Sequence, residues 1–172
     1  DGTVTGGDGE DVLISIENVS GSQYPDDITG DEDDNLLNGK AGHDILKGGK
    51  GNDVLMGGLD DDTLVGGRGM DTLLGGKGQD RMTGGDDADT FTFLSIGHTR
   101  GARIMDLASE DFIDLSGIDA DANTGGDQAF ALVEAFWGEP GELVVHYSKH
   151  KDVTYVRGDV DGDGVRDFQL TL

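Results

Sequence analysis

Glycine recurs at residues 21, 30, 39, 48, 57, 66, 75 and 84, an unbroken spacing of nine. From Gly39 the nonapeptides read GKAGHDILK, GGKGNDVLM, GGLDDDTLV, GGRGMDTLL, GGKGQDRMT and GGDDADTFT, preceded by GSQYPDDIT and GDEDDNLLN. A further copy, GGDGEDVLI, fills 6–14 and is set apart by an insert over 15–20. Position six is Asp11, Asp26, Asn35, Asp44, Asp53, Asp62, Asp71, Asp80 and Asp89. Position eight is Leu13, Ile28, Leu37, Leu46, Leu55, Leu64, Leu73, Met82 and Phe91.

A period of nine with one large apolar position suits neither an amphipathic helix nor an ordinary alternating strand. It predicts a short strand over positions seven to nine, joined to the next by a six-residue turn. Side chains alternate along a strand, so position eight points inward and its neighbours point out. Two nonapeptides then make one 18-residue coil with a strand on each side. Coils stack by parallel pairing about 4.7–4.9 Å apart. Glycine at positions one, two and four is expected to permit positive φ and so aim main-chain carbonyls at a common point. Asp60 and Asp87 replace glycine at position four. Aspartate visits the left-handed region more readily than most residues. The turns beginning at 21 and 30 keep little of the glycine pattern.

Composition now matters. Acidic residues number 36 against 12 basic ones, for a formal charge of −24, and only 34% of residues are apolar. Such a balance ordinarily means disorder, so something besides a core must hold the coils together. Stacked coils would bring position-six carboxylates and turn carbonyls together. Six to eight hard oxygen ligands, some of them main-chain, suit Ca²⁺; Mg²⁺ demands a tighter octahedron. The candidate ligands are Asp11, Asp26, Asp44, Asp53, Asp62, Asp71, Asp80 and Asp89, with Asp60 and Asp87 at position four. The turn glycines add Gly48, Gly49, Gly51, Gly57, Gly58, Gly66, Gly67, Gly69, Gly75, Gly76, Gly78, Gly84 and Gly85. About half a dozen ions would offset roughly 12 of the negative charges.

The acidity argues against nucleic acid, whose phosphates it would repel. No apolar run approaches the ~18 residues of a membrane span. With no cysteine there are neither disulfides nor thiolate metal sites. The opening Asp1-Gly2-Thr3 reads as the middle of something longer.

The motif GGxGxDxUx over 6–14 and 21–92 resembles RTX repeats, the calcium-binding parallel β-roll of bacterial exported proteins. That resemblance implies a secreted, extracellular protein. It would leave the cell unfolded through type I secretion machinery, fold on meeting calcium outside, and follow an upstream catalytic or adhesive domain. Residues 93–172 resemble the C-terminal domain of serralysin-type metalloproteases, through Asp89–Phe93, Ile104–Leu107, Asp111–Ser116, Gly126–Phe130 and Gly158–Val165. Asp106 and Asp114 in these stretches join the candidate metal ligands. Ala102 stands where the family often has an aspartate after the last repeat.

The expected architecture is all-β: a parallel β-roll over 1–92 followed by a mainly antiparallel β cap over 93–172. A stacked roll ends in an open strand edge that must be covered. The cap's apolar residues are Phe112, Ile113, Leu115, Ile118, Phe130, Leu132, Val133, Phe136 and Trp137. Strands are predicted over 143–147, 153–157 and 168–172, with a hairpin loop at 148–152 and one short helix near 127–135. The run Asp159-x-Asp161-x-Asp163-Gly164-x-x-Asp167 resembles the opening of a calcium loop, although Leu170 stands where its closing glutamate belongs.

Little supports catalysis within the chain. There is no HExxH, no GxSxG and no cysteine nucleophile. His146 and His150 are four apart, but at a strand end and loop; His43 and His98 occupy solvent-facing positions. The carboxylate spacing is explained by calcium rather than by a glycosidase pair. The alternatives are a carbohydrate-binding module and a structural segment of a calcium-dependent adhesin. R-modules of alginate epimerases, also RTX rolls, bind a polyanionic sugar chain. Lys50 and Arg68, 18 apart, should stack on one side, with Lys77 on the other. Ice binding would want a regular threonine row, which Thr63, Thr72, Thr83 and Thr90 do not form.

Overall fold

The computed structural model describes residues 17–121, 123, 128–135, 137–149, 151 and 153–172, with the backbone of 2–3 and 10–12. Most of the copy at 6–14 lies outside the described residues, as do part of the insert and the residues Phe136, Asp127 and His150.

Seventeen strands and one 3-10 turn (Ile96–Thr99) make up the described chain. The early coils contribute β1 (Gly2–Thr3), β2 (Glu10–Val12), β3 (Asn18–Ser20) and β4 (Asp27–Thr29). The regular repeats give β5 (Leu36–Ala41), β6 (Ile45–Lys50), β7 (Val54–Leu59), β8 (Thr63–Arg68), β9 (Thr72–Lys77) and β10 (Arg81–Asp86). Next come β11 (Thr90–Thr92), β12 (Arg103–Ile104), β13 (Phe112–Asp114) and β14 (Ala131–Leu132). The chain closes with β15 (Glu142–Ser148), β16 (Val153–Asp159) and β17 (Phe168–Thr171).

Odd strands β1 to β13 form one parallel sheet; the even strands β2 to β12 form the other, which carries on into the C-terminal strands. Register advances by 18 residues per coil, so Leu37, Leu55 and Leu73 align in one sheet and Ile28, Leu46 and Leu64 in the other. Position eight forms the core. Every member from Ile28 to Phe91 is at most 1% exposed. A single column of leucine-sized side chains from each sheet makes a narrow core, which is why the inward set has no polar member at this position.

The regular strands are longer than predicted. Each runs through positions seven to nine and on through one to three of the next copy, so the true turn is three residues. Extension is possible because turn residues of neighbouring coils also pair, as Gly49 does with Gly67 and Gly58 with Gly76. The expected insert is not one. β3 lies within 15–20 and pairs with β5, and Val19, nine before Ile28, is buried at position eight.

The period stops at 92, but parallel stacking goes on through two longer steps. Ile104 pairs with Met82 and Ile113 with Phe91, each 22 residues on. The antiparallel strands β15, β16 and β17 then join the roll directly, through Arg103 of β12 and Thr171 of β17. The three predicted C-terminal strands are present. The helix expected near 127–135 is not: among its described residues, Ala131 and Val133 donate to Gly141 and Leu143 carbonyls in a parallel strand pairing. The cap core also differs from expectation. Phe112, Leu132 and Trp137 are exposed, because strand alternation sends Phe112 outward while Ile113 turns in. Phe93, Ile104, Val156, Val160, Phe168 and Leu170 fill the interior instead. No helix of the described residues is long and apolar enough to cross a membrane.

Candidate metal centres

Position six falls just before each strand, where the chain leaves the turn. Its main-chain carbonyl accepts from the next coil, as when Thr63 N donates to Asp44 O at 2.8 Å. Its main-chain N–H donates to the position-six carboxylate 18 residues later. On one side Asp26, Asp44 and Asp62 donate to Oδ1 of Asp44, Asp62 and Asp80 at 2.8, 2.8 and 3.0 Å. On the other, Asn35, Asp53 and Asp71 donate to Oδ1 of Asp53, Asp71 and Asp89 at 2.7, 2.8 and 2.9 Å.

One oxygen of each carboxylate is thus tied. The other is not: Oδ2 of Asp44, Asp53, Asp62, Asp71, Asp80 and Asp89 is buried without a hydrogen-bond partner. A buried, unpaired carboxylate oxygen is costly unless a cation or proton meets it. Burial therefore pushes Asp44, Asp53 and Asp89 up to about 6 and Asp62 and Asp71 up to about 7, against an ordinary 3.8. Asp80 is raised for the same reason. The ladder hydrogen bonds oppose that rise, and for Asp62 and Asp71 the carboxylates one coil away add to it.

The glycines divide the work differently from expectation. Within the repeats, positive φ is confined to positions two and four, among them Gly49 at 117°, Gly58 at 118° and Gly69 at 112°. Asp60 and Asp87 do adopt it, at 77° and 75°, and so does Lys40 at position two, at 81°. Position one needs glycine for space instead. A Cβ on Gly48, Gly57 or Gly66 would lie well within 3.0 Å of the unpaired Oδ2 of Asp53, Asp62 or Asp71, and of the carbonyl oxygen of Gly66, Gly75 or Gly84 in the next coil. Carboxylate and carbonyl oxygens from two coils thus converge on each of these three glycines. Unpaired carboxylate oxygens beside main-chain carbonyls fit Ca²⁺.

The less regular candidates fare differently. Asp26 Oδ2 is taken by the main-chain N of Ser22 at 2.7 Å and by its hydroxyl at 3.2 Å, and Asn35 Oδ1 accepts Asp31 N at 2.8 Å. Among the described residues, position six of these first turns supplies no buried unpaired oxygen. Asp11 pairs with Ile28 in the backbone register, opposite position eight rather than position six. Asp106 accepts from Gly84 N and Gly85 N, both at 3.0 Å. Asp114 does not join the ladder; it accepts Ser116 N at 2.9 Å, and the Ser116 side chain first, then this main-chain N–H, hold its carboxyl below the usual range. Asp111 takes that place, accepting Asp89 N at 3.0 Å. The sequence does carry a signal for Asp111: it follows Asp89 by 22 residues, as Ile113 follows Phe91. The same step from Asp80 reaches buried Ala102, which ends the other ladder.

In the C-terminal loop, oxygens of Asp159, Asp161 and Asp167 lie within 4.8 Å of one another. Asp163 is outside that group and accepts Val165 N at 2.7 Å. Asp159 is fully buried, and its oxygens accept Gly162 N and Gly164 N at 2.8 and 2.9 Å.

The profile of the RTX calcium-binding nonapeptide repeat matches four stretches, residues 17–46, 29–64, 38–73 and 65–93. The chain carries RTX repeats. The match starts before the unbroken array that begins at 21, within the expected insert, in line with the burial of Val19. Among solved structures, the RTX chain is similar to the AlgE6R3 subunit of the Azotobacter vinelandii mannuronan C5-epimerase. Identity is 26% and the TM-score 0.50, over 97% of this chain and 76% of that one. No curated protein matches it. Calcium binding is the property named for such repeats.

Proposed function

We propose that this chain is a calcium-triggered folding module of a secreted bacterial protein, exported unfolded by type I secretion machinery and ordered outside the cell. One observation carries the reading: six buried carboxylate oxygens, at a regular position of the roll, have no hydrogen-bond partner among the described residues. In this reading the Oδ2 atoms of Asp44 to Asp89 ligate calcium with the carbonyls of glycines at positions one, two and four. Asp106, and the trio Asp159, Asp161 and Asp167, would hold ions at the C-terminal end. Without calcium the buried carboxylates oppose folding; with it, binding free energy becomes folding free energy. Extracellular modules work at about 10⁻⁴–10⁻³ M calcium, far above cytosolic levels. Residues 93–172 then serve as the cap, since β17 pairs with the last parallel strand of one sheet. An upstream domain of the same protein supplies any catalytic or adhesive activity.

The test is far-UV circular dichroism during calcium titration of the chelated chain, with magnesium as control. Conversion from coil to β between micromolar and millimolar calcium, absent with magnesium, is expected. A fully β spectrum in chelator that calcium leaves unchanged would sink the proposal.

The second reading, glycan binding, is favoured by the likeness to an epimerase subunit. The residues first expected to serve it do not suit it. Lys50 and Arg68 do align on one side, but Lys50 pairs with Glu32 and Arg68 with Asp86.

A further inference from the structure

The sheet that continues from roll to cap presents a basic face. Its outward residues in register are His146, Tyr155, Thr171, Arg103 and Arg81, one from each of β15, β16, β17, β12 and β10. Five strands at about 4.8 Å spacing span roughly 19 Å. Two adjoining hollows open on this face. One, of about 240 Å³, is lined by His146, Lys151, Tyr155, Arg157 and Arg166 among others. The second, of about 520 Å³, adds Arg103 and Gln79 and shares Lys151, Tyr155 and Gln169 with the first. No carboxylate lines either hollow among the described residues, in a chain where acids outnumber bases threefold.

Among the described residues these cations have no ion-pair partner. The ion pairs among the described residues are Lys47–Asp27, Lys50–Glu32 and Arg68–Asp86, none of which lies on this stretch of the face. Arg81 and Arg103 are directly paired across neighbouring strands, an arrangement that like charges destabilise. Arg157 is positioned by Gln169 Oε1 at 2.9 Å, and its guanidinium lies 5.1 Å from the Tyr155 ring centroid. Fixed guanidinium groups beside hydroxyl and amide side chains match a ligand that offers both carboxylates and hydroxyls. Few cations spread over about 19 Å suit a polymer with widely spaced charges, unlike duplex DNA with one per ~1.7 Å.

We infer that this face binds a carboxylate-bearing polysaccharide, an inference that rests on the glycan-binding reading and gives it a location. It joins roll and cap, so it is complete only when the two are stacked as in the folded chain.

The experiment is calorimetric titration of the whole calcium-loaded chain with a short mannuronate oligomer, and with a neutral mannose oligomer of equal length. Binding of the acidic oligomer, weakened by salt, is expected. Arg103→Gln with Lys151→Gln should weaken it about tenfold, whereas Lys50→Gln with Arg68→Gln should leave it unchanged. If the double variant loses its calcium-loaded spectrum, Arg81→Gln alone, on a regular repeat strand, tests the same face and should still weaken binding. Equal binding by wild type and face variants would overturn the location and leave the glycan reading standing, as would equal affinity for the neutral oligomer. Binding of neither oligomer by the wild type would overturn both.

Discussion

Asp62 accepts the main-chain N–H of Asp44 through Oδ1 at 2.8 Å, one full coil away, while its Oδ2 is buried without a partner. A single side chain thus staples two coils and offers a ligand oxygen. The staple orients the carboxylate; the free oxygen makes the orientation unfavourable until a cation arrives. Repeated on both sides of the roll, this arrangement is what the proposed calcium-dependent folding rests on.

Asp62→Asn separates the two roles. The amide oxygen can still accept Asp44 N, but an NH₂ replaces the ligand oxygen. In chelator at pH 8 the variant should be more stable than wild type, because an unpaired charge is gone. In saturating calcium it should be less stable, by about 1–3 kcal/mol. Urea unfolding under both conditions reads the sign; the same sign in both would contradict the divided role.

Acid should partly replace calcium. Folded-state values of about 6 for Asp44, Asp53 and Asp89 and about 7 for Asp62 and Asp71 exceed the ordinary 3.8. A raised folded value contributes stability that is complete below the unfolded value and is lost as pH climbs through the folded one. Calcium-stripped protein should therefore gain β structure between pH 7 and pH 4. Calcium affinity should fall over the same window as protons compete. Circular dichroism of resin-stripped protein across that range checks the first; calcium titration at pH 5 and 8 checks the second.

Glycine at position one and residue 40 at position two should respond oppositely to substitution. Gly57→Ala puts a methyl against Asp62 Oδ2 and the Gly75 carbonyl, and overpacking of this kind costs about 1–3 kcal/mol. Lys40→Gly relieves a non-glycine φ of 81° and should stabilise by roughly 1 kcal/mol. Thermal melts in saturating calcium measure both, and a neutral Gly57→Ala would show that position one has room.

Asp111 and Asp114 test where the ladder ends. Asp111 accepts Asp89 N and Ala108 N, so Asp111→Ala should destabilise by about 1–2 kcal/mol. Asp114→Ala removes only an exposed turn contact to Ser116 and should cost clearly less. Equal losses in urea melts would place Asp114 back in the ladder.

Much of the roll is legible in the repeat alone. Strict spacing by nine makes position eight an apolar column and position six a row of carboxylates, because a repeat that stacks on itself must return each residue to the same environment. Local irregularity hides the rest. Residues 15–20 lack the glycine motif and read as an insert, yet Val19 keeps the period and is buried. Past residue 92 the step lengthens to 22, so Asp111 falls off the nine-residue spacing, and the 22-residue step it shares with Ile113 stands out from Asp114 only once the pairing of Phe91 with Ile113 is known. Phe112 and Trp137 resemble core residues on hydrophobicity alone, which carries no information about which face of a short strand turns inward.

By itself the sequence determined the coil, its inward column and the chemistry of its turns, since each follows from nearest-neighbour stacking of identical units. Tertiary structure decided what depends on contacts between unlike units. It set which carboxylate oxygen is already occupied, which glycine is demanded by space rather than by φ, and how β17 joins β12 to make one sheet of roll and cap. Those outcomes depend on where an atom of one coil lies against another, a distance that no linear spacing records.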